Sequence, residues 1–115
     1  MPQEFKLEVF IPESYSAIVM EALAAAGVGR IGKYEHCFAI TSVQGYWRPL
    51  EGAQPFEGEP GMISRAPEHK LEVSCSREAV VTALQAIRRA HPYEEPAINV
   101  IPLANSTFPI ESRQF

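Results

Sequence analysis

The chain has 115 residues, enough for one domain, and a chain of this length buries roughly two-thirds of the surface it exposes when unfolded. Its 46% hydrophobic and 21% charged residues sit near the globular average, which excludes a disordered tail, a coiled coil and a collagen-like chain. A net charge of -4 disfavours a nucleic-acid role, since phosphate neutralisation needs the opposite sign, and no apolar run approaches the roughly 20 residues of a membrane helix.

Phe5, Leu7, Val9 and Ile11 alternate with Lys6, Glu8 and Phe10, the period of a strand with one buried face. Met1 to Lys6 lacks a basic region followed by an apolar stretch, which reads as no secretory signal. Pro12-Glu13-Ser14 ends the strand and opens a helix, along which Tyr15, Ile18, Val19, Ala22, Leu23 and Ala26 form an apolar stripe. Gly27 is placed to stop it, because glycine tolerates the left-handed cap conformation. A glycine-rich loop, Gly27 to Lys33, leads to a second strand at Tyr34 to Thr41, with Tyr34, His36, Phe38 and Ile40 on one side and Cys37 and Ala39 on the other.

From Ser42 to about Pro67 the pattern dissolves among glycines and prolines into a long loop of the kind that is usually functional or mobile. It carries Trp47, Phe56 and Met62, so parts of it are expected to pack. Lys70 to Cys75 alternates again as a third strand. Ser76 is a natural N-cap for a second helix with Ala79, Val80, Ala83, Leu84 and Ile87 inward. Arg88 and Arg89 suit the last turn, and His91-Pro92 ends the helix. Ile98, Val100, Ile101 and Leu103 suggest a fourth strand, and residues 104–115 form a polar tail that reads as a short fifth strand or an arm.

The order βαββαβ fits a ferredoxin-like α+β fold, with a four-stranded antiparallel sheet and two helices on one face. The other face would carry Lys6, Glu8, Phe10, Cys37, Ala39, Lys70 and Glu72, a mixture suited to cover by a partner subunit.

Gly27-Val28-Gly29-Arg30-Ile31-Gly32 matches G-x-G-x-x-G, but it lies between a helix and a strand rather than a strand and a helix, so a dinucleotide fingerprint is disfavoured. A plain turn is the simpler reading, and amides beside Arg30 and Lys33 are the alternative, an anion nest. His36, His69 and His91 have no zinc-helix spacing, and with Glu95 they are the weak candidates for a metal. His91-Pro92-Tyr93-Glu94-Glu95-Pro96 is either a rigid corner or a binding corner. Its adjacent carboxylates point to opposite sides in an extended stretch, which does not suit a catalytic acid–base pair. Trp47-Arg48-Pro49 is either an exposed recognition element or a plug that pins the loop. Cys37 and Cys75 fit free thiols in a reducing compartment.

Three strings, taken together and in this order, resemble one family: Gly29-Arg30-Ile31-Gly32-x-Tyr34-x-x-Cys37, Arg48-Pro49-x-Glu51-Gly52-Ala53-x-Pro55-Phe56-x-Gly58-x-x-Gly61, and His91-Pro92-Tyr93-Glu94-Glu95-Pro96-Ala97. The family is the P-II/CutA-like insert domain of YqfO-type, Nif-three-like dinuclear-metal proteins, and the chain looks like a stand-alone version of it from about Phe5 to Leu103. The last string also resembles a corner of CutA proteins, which are ferredoxin-like trimers. The resemblance implies the same ferredoxin-like fold. It also implies that residues 42–67 correspond to the long loop of P-II signalling proteins, which bind nucleotides between trimer subunits. The metal-site motifs of the parent proteins are absent from this sequence.

The expectation is a non-enzymatic cytoplasmic regulatory or binding domain, without catalytic residues or cofactor, that self-associates as a trimer. A small anionic ligand or a protein partner would meet Gly29, Arg30, Gly32, Trp47, Arg48, His91, Tyr93, Glu94 and Glu95, with Arg30 and Arg48 on the anion. The alternative is a CutA-like metal-binding module.

Overall fold

Alternation in the first segment becomes β1, Glu4–Pro12, in a computed structural model that describes residues 2–109. Leu7, Val9 and Ile11 are fully buried on its inner face. Phe5, at the rim of that face, lies under the Arg77 guanidinium at 5.2 Å, a cation–π contact. A 3-10 turn, Glu13–Tyr15, starts the first helix, α1, Ser16–Ala25. Ser16, Val19 and Leu23 face the sheet, whereas Ile18 is 54% exposed and lies off the expected stripe. Gly27, at φ +80°, ends α1 as expected. The Gly27 amide donates to the Ala24 carbonyl and the Val28 amide to the Leu23 carbonyl, the paired bonds of a Schellman cap.

The remaining elements are β2, Ala39–Trp47; β3, Ser64–Ser76; α2, Val80–Ala90; and β4, Ile98–Leu103. A 3-10 turn, Arg77–Ala79, precedes α2, and the Ser76 side chain makes no cap hydrogen bond. Ala83, Ala86 and Ile87 are the buried face of α2, and His91 leaves it in an extended conformation before Pro92. The sheet order is β2-β3-β1-β4 with every pairing antiparallel, and α1 and α2 close its inner face. This is the ferredoxin-like arrangement that the element order predicts. Leu7, Val9, Ile11, Leu71, Val73, Val19, Leu23 and Ile87 form the core, each large side chain contributing about 1.5–3 kcal/mol on burial. At one end of the sheet Glu4 sits opposite Leu103, so the start of β1 and the end of β4 are neighbours.

The opposite face is open, as expected. It carries Lys6, Glu8, Phe10, Lys70, Glu72 and Ala39 by register. Lys6 bridges Glu72 at 3.0 Å and Glu8 at 3.5 Å, and Lys70 bridges Glu72 at 3.3 Å and Glu8 at 3.9 Å, a neutral quartet in the middle of the face. Cys37 precedes β2 and does not belong to the strand face.

Several expectations change. The second strand runs over 39–47 rather than 34–41, and β3 begins at Ser64, so the 42–67 loop contracts to residues 48–63. Gly45 and Pro67, read as loop residues, sit inside the β2–β3 ladder. A Cβ on Gly45 would collide with the Glu68 side chain, which is why glycine is needed there. Pro67 is tolerated because β1 pairing ends at Glu68, leaving β3 with one neighbour beyond it. His36, expected on an inward strand face, is exposed at φ +59° in the irregular stretch before β2. In the tail a 3-10 turn, Asn105–Thr107, places Ser106 Oγ to accept from the Gln3 amide at 3.1 Å. The described tail holds no fifth strand, and Ile110 and Phe115 lie outside the described residues.

Candidate binding cleft

Where β2 and β3 run past the end of β1, three segments meet. They are the hairpin itself, the 48–63 loop and the corner after α2. Between them lies a cleft of about 580 Å³, lined among others by Phe10, Val43, Gly45, Trp47, Arg48, Phe56, Glu57, Glu68 and Tyr93–Glu95.

Its base is a hydrogen-bonded latch. Tyr93 Oη donates to Glu68 Oε2 at 2.6 Å, and Glu68 is only 6% exposed. Burial, then the hydrogen bond to Glu68, pushes the Tyr93 hydroxyl well above the usual phenol range, so it remains a donor at any physiological pH. Behind the ring, buried His91 donates from Nε2 to the Phe10 carbonyl at 2.7 Å and accepts at Nδ1 from the Tyr93 amide at 3.1 Å. Both nitrogens are used by a neutral ring, and burial lowers the His91 pKa below its ordinary value.

The walls are aromatic. Tyr93 lies 5.9 Å from Trp47, 6.1 Å from Phe56 and 4.9 Å from His91 between ring centroids, and Phe56 meets Tyr15 edge-on at 5.6 Å. The loop is tied from inside. Trp47 Nε1 donates to the Glu57 carbonyl at 3.0 Å, Arg48 Nε to the Gly61 carbonyl at 3.1 Å, and the Gly61 amide to the Pro49 carbonyl at 2.7 Å. The Gln54 amide donates to Glu94 Oε1 at 3.1 Å, which joins loop to corner. Trp47 pins the loop by its indole nitrogen while its ring lines the cleft.

Of the residues singled out in the sequence, Trp47, Arg48, Tyr93, Glu94 and Glu95 converge here, with His91 directly behind. Gly29, Arg30 and Gly32 do not line the cleft. Gly29 instead packs close to Phe38 and Val73. The two arginines expected to share an anion are therefore not brought together in it, and Glu57, Glu68, Glu94 and Glu95 oppose Arg48 alone.

The three histidines are dispersed. His69 Nδ1 and Ser16 Oγ are hydrogen-bonded at 2.6 Å, His36 sits 3.2 Å from Glu21, and His91 belongs to the latch. Among the described residues no three His, Cys, Asp or Glu side chains group as a metal site. Both cysteines are free.

Sequence reasoning missed Glu68, Gly45, Phe10 and Glu57. Gly45 in a strand, a sign of close approach by another group, is the signal that would have pointed to Glu68.

No protein-family model matches the chain. Solved structures define the class of fold. CutA from Synechococcus elongatus superposes with a TM-score of 0.65 over 90% of this chain and 79% of its own, at 21% identity. A Bacillus cereus protein related to NIF3 superposes with a TM-score of 0.79 at 34% identity, over 90% of this chain and 26% of that one. Sequence gives the relationship. The GTP cyclohydrolase 1 type 2 homologs of Halalkalibacterium halodurans and Bacillus subtilis are 39% and 38% identical over 88% and 85% of this chain. The chain is homologous to one segment of these NIF3-related proteins, and it spans about a quarter of the length of the curated relatives it matches.

Proposed function

We propose that this domain is a regulatory or binding module that assembles through its open sheet face and holds a ligand in the Trp47–Tyr93 cleft. The cleft carries the reading. It is of ligand size, and its walls are mostly apolar with a few fixed polar groups, the usual make-up of a small-molecule site. His91 and the Tyr93 hydroxyl at its base are committed to the latch, which favours binding over acid–base chemistry. The activity of the longer relatives is not carried over, since this chain corresponds to about a quarter of them.

Assembly follows from the sheet. β2 is an edge strand of nine residues without proline or charge, and natural proteins protect such an edge or pair it. The neutral Lys6, Glu8, Lys70 and Glu72 quartet lets copies meet without net repulsion. A trimer is the favoured assembly, by analogy with CutA proteins. No helix among the described residues is long and apolar enough to cross a membrane, and two free thiols fit the cytoplasm.

Light scattering at two concentrations tests the assembly. A mass three times that of the chain at both supports it, and a monomer at both overturns it.

A further inference from the structure

The charge inside the cleft has the opposite sign to the one an anionic ligand needs. Four glutamates face one arginine, and that arginine is partly engaged by the Gly61 carbonyl. Glu68 stands out among them. It is more than nine-tenths buried, yet it accepts one hydrogen bond, at Oε2 from Tyr93. Its other oxygen, Oε1, has no donor among the described residues and lies over Gly45, itself a cleft residue. No side-chain oxygen or nitrogen among the described residues is both buried and unbonded, so Oε1, which lacks a protein donor, is open to the cleft, where a ligand's positive group can reach it. Trp47, Phe56 and Tyr93 line the same cleft, and aromatic rings attract positive charge through their quadrupoles.

We propose that the cleft binds an organic cation, an ammonium or guanidinium head on an apolar body, with the head against the aromatic wall that Trp47 and Tyr93 form together and close to the Glu68 carboxylate. This rests on reading the cleft as a ligand site. Metal ions fit less well, because aromatic walls offer them no ligands, whereas an alkylated cation gains from both the rings and the acids. Two sources share this chemistry: a free small cation and an arginine side chain of a protein partner.

Trp47 is the single tryptophan of the chain, so its fluorescence reports on the cleft directly. The test titrates the full chain with choline chloride, with N-acetylarginine methylamide, with the uncharged carbon isostere of choline, and with sodium phosphate, all at matched ionic strength. The expected result is a saturable change with a cation, weakened about tenfold in the neutral isostere. A variant with Glu57→Gln and Glu95→Gln, both exposed, should weaken cation binding about threefold at unchanged melting temperature. Tighter binding of choline assigns a free cation, and tighter binding of the arginine amide assigns a partner side chain.

Equal binding of the neutral isostere, saturation by phosphate, or no saturable response to either cation at millimolar concentration overturns the proposal. Mass measured in the same samples separates the two readings. A monomer that binds choline removes the assembly and keeps the cation site, and a trimer that ignores both cations does the reverse.

Discussion

The hydroxyl of Tyr93 matters to this fold because the carboxylate it meets has no other donor among the described residues. Glu68 is buried and accepts that one bond. Tyr93→Phe leaves a buried carboxylate with none, and should cost about 1–3 kcal/mol in urea unfolding. Glu68→Gln keeps an oxygen for the tyrosine and should cost less. A Tyr93→Phe protein as stable as the parent would show that the latch is idle. His91 adds a pH dependence. Its folded pKa is lowered, chiefly by burial, with the Phe10 hydrogen bond and the nearby Glu68 charge offsetting part of the effect. The unfolded chain therefore binds a proton first, near the ordinary value of 6.5, and stability contributed by neutral His91 is complete above that pH. It is lost as pH falls from 6.5 through the lowered folded value. Urea midpoints between pH 7 and pH 5 should drop less steeply for His91→Gln than for the parent, and parallel profiles would assign the slope to other groups.

At the level of elements, β1 and both helices were legible because each has one buried face, and a buried face writes its period into the chain, whereas β4, with no buried residue, was legible from its apolar composition. The β2–β3 hairpin was legible only where it flanks β1. Beyond that point it has no helix over it, its side chains are largely exposed, and Gly45 and Pro67 carry the signature of a loop. The cleft was half legible for a related reason. Trp47-Arg48 and Tyr93-Glu94-Glu95 are conspicuous strings, but Glu68 looks like any strand glutamate, and its partner is 25 residues away. Gly45 is the residue that ties these levels together. Gly45→Ala should destabilise the protein by about 1–3 kcal/mol, because the added methyl group displaces Glu68 from Tyr93. Combining it with Glu68→Ala, which clears the space, should remove most of that extra cost. Additive losses in the double variant would place the strain elsewhere.

The molecule as a whole measures 51 × 25 × 23 Å, long because the hairpin projects past the helix-covered part of the sheet. One face and one edge of that sheet are open, and the assembly reading makes a prediction that core packing does not. Thr41 is exposed on the open face of β2, opposite Lys70. Thr41→Arg adds a third cation to a balanced quartet and should shift the light-scattering mass towards a monomer while the melting temperature of a dilute sample barely changes. An unaltered mass would mean that this face is not the contact.

The pairing of Glu4 with Leu103 has a different consequence. Directly opposed residues in antiparallel strands lie about 4.5–5.5 Å apart, so the chain enters and leaves the sheet at nearly one point. A host protein could therefore carry such a unit as a side loop, cutting a single surface turn and rejoining it without spreading its own scaffold. That geometry suits relatives of which the matched segment is about a quarter. It also makes the unit portable. Grafted between two closely spaced residues of an unrelated carrier, it should fold in place, because closing its ends costs the carrier almost no strain.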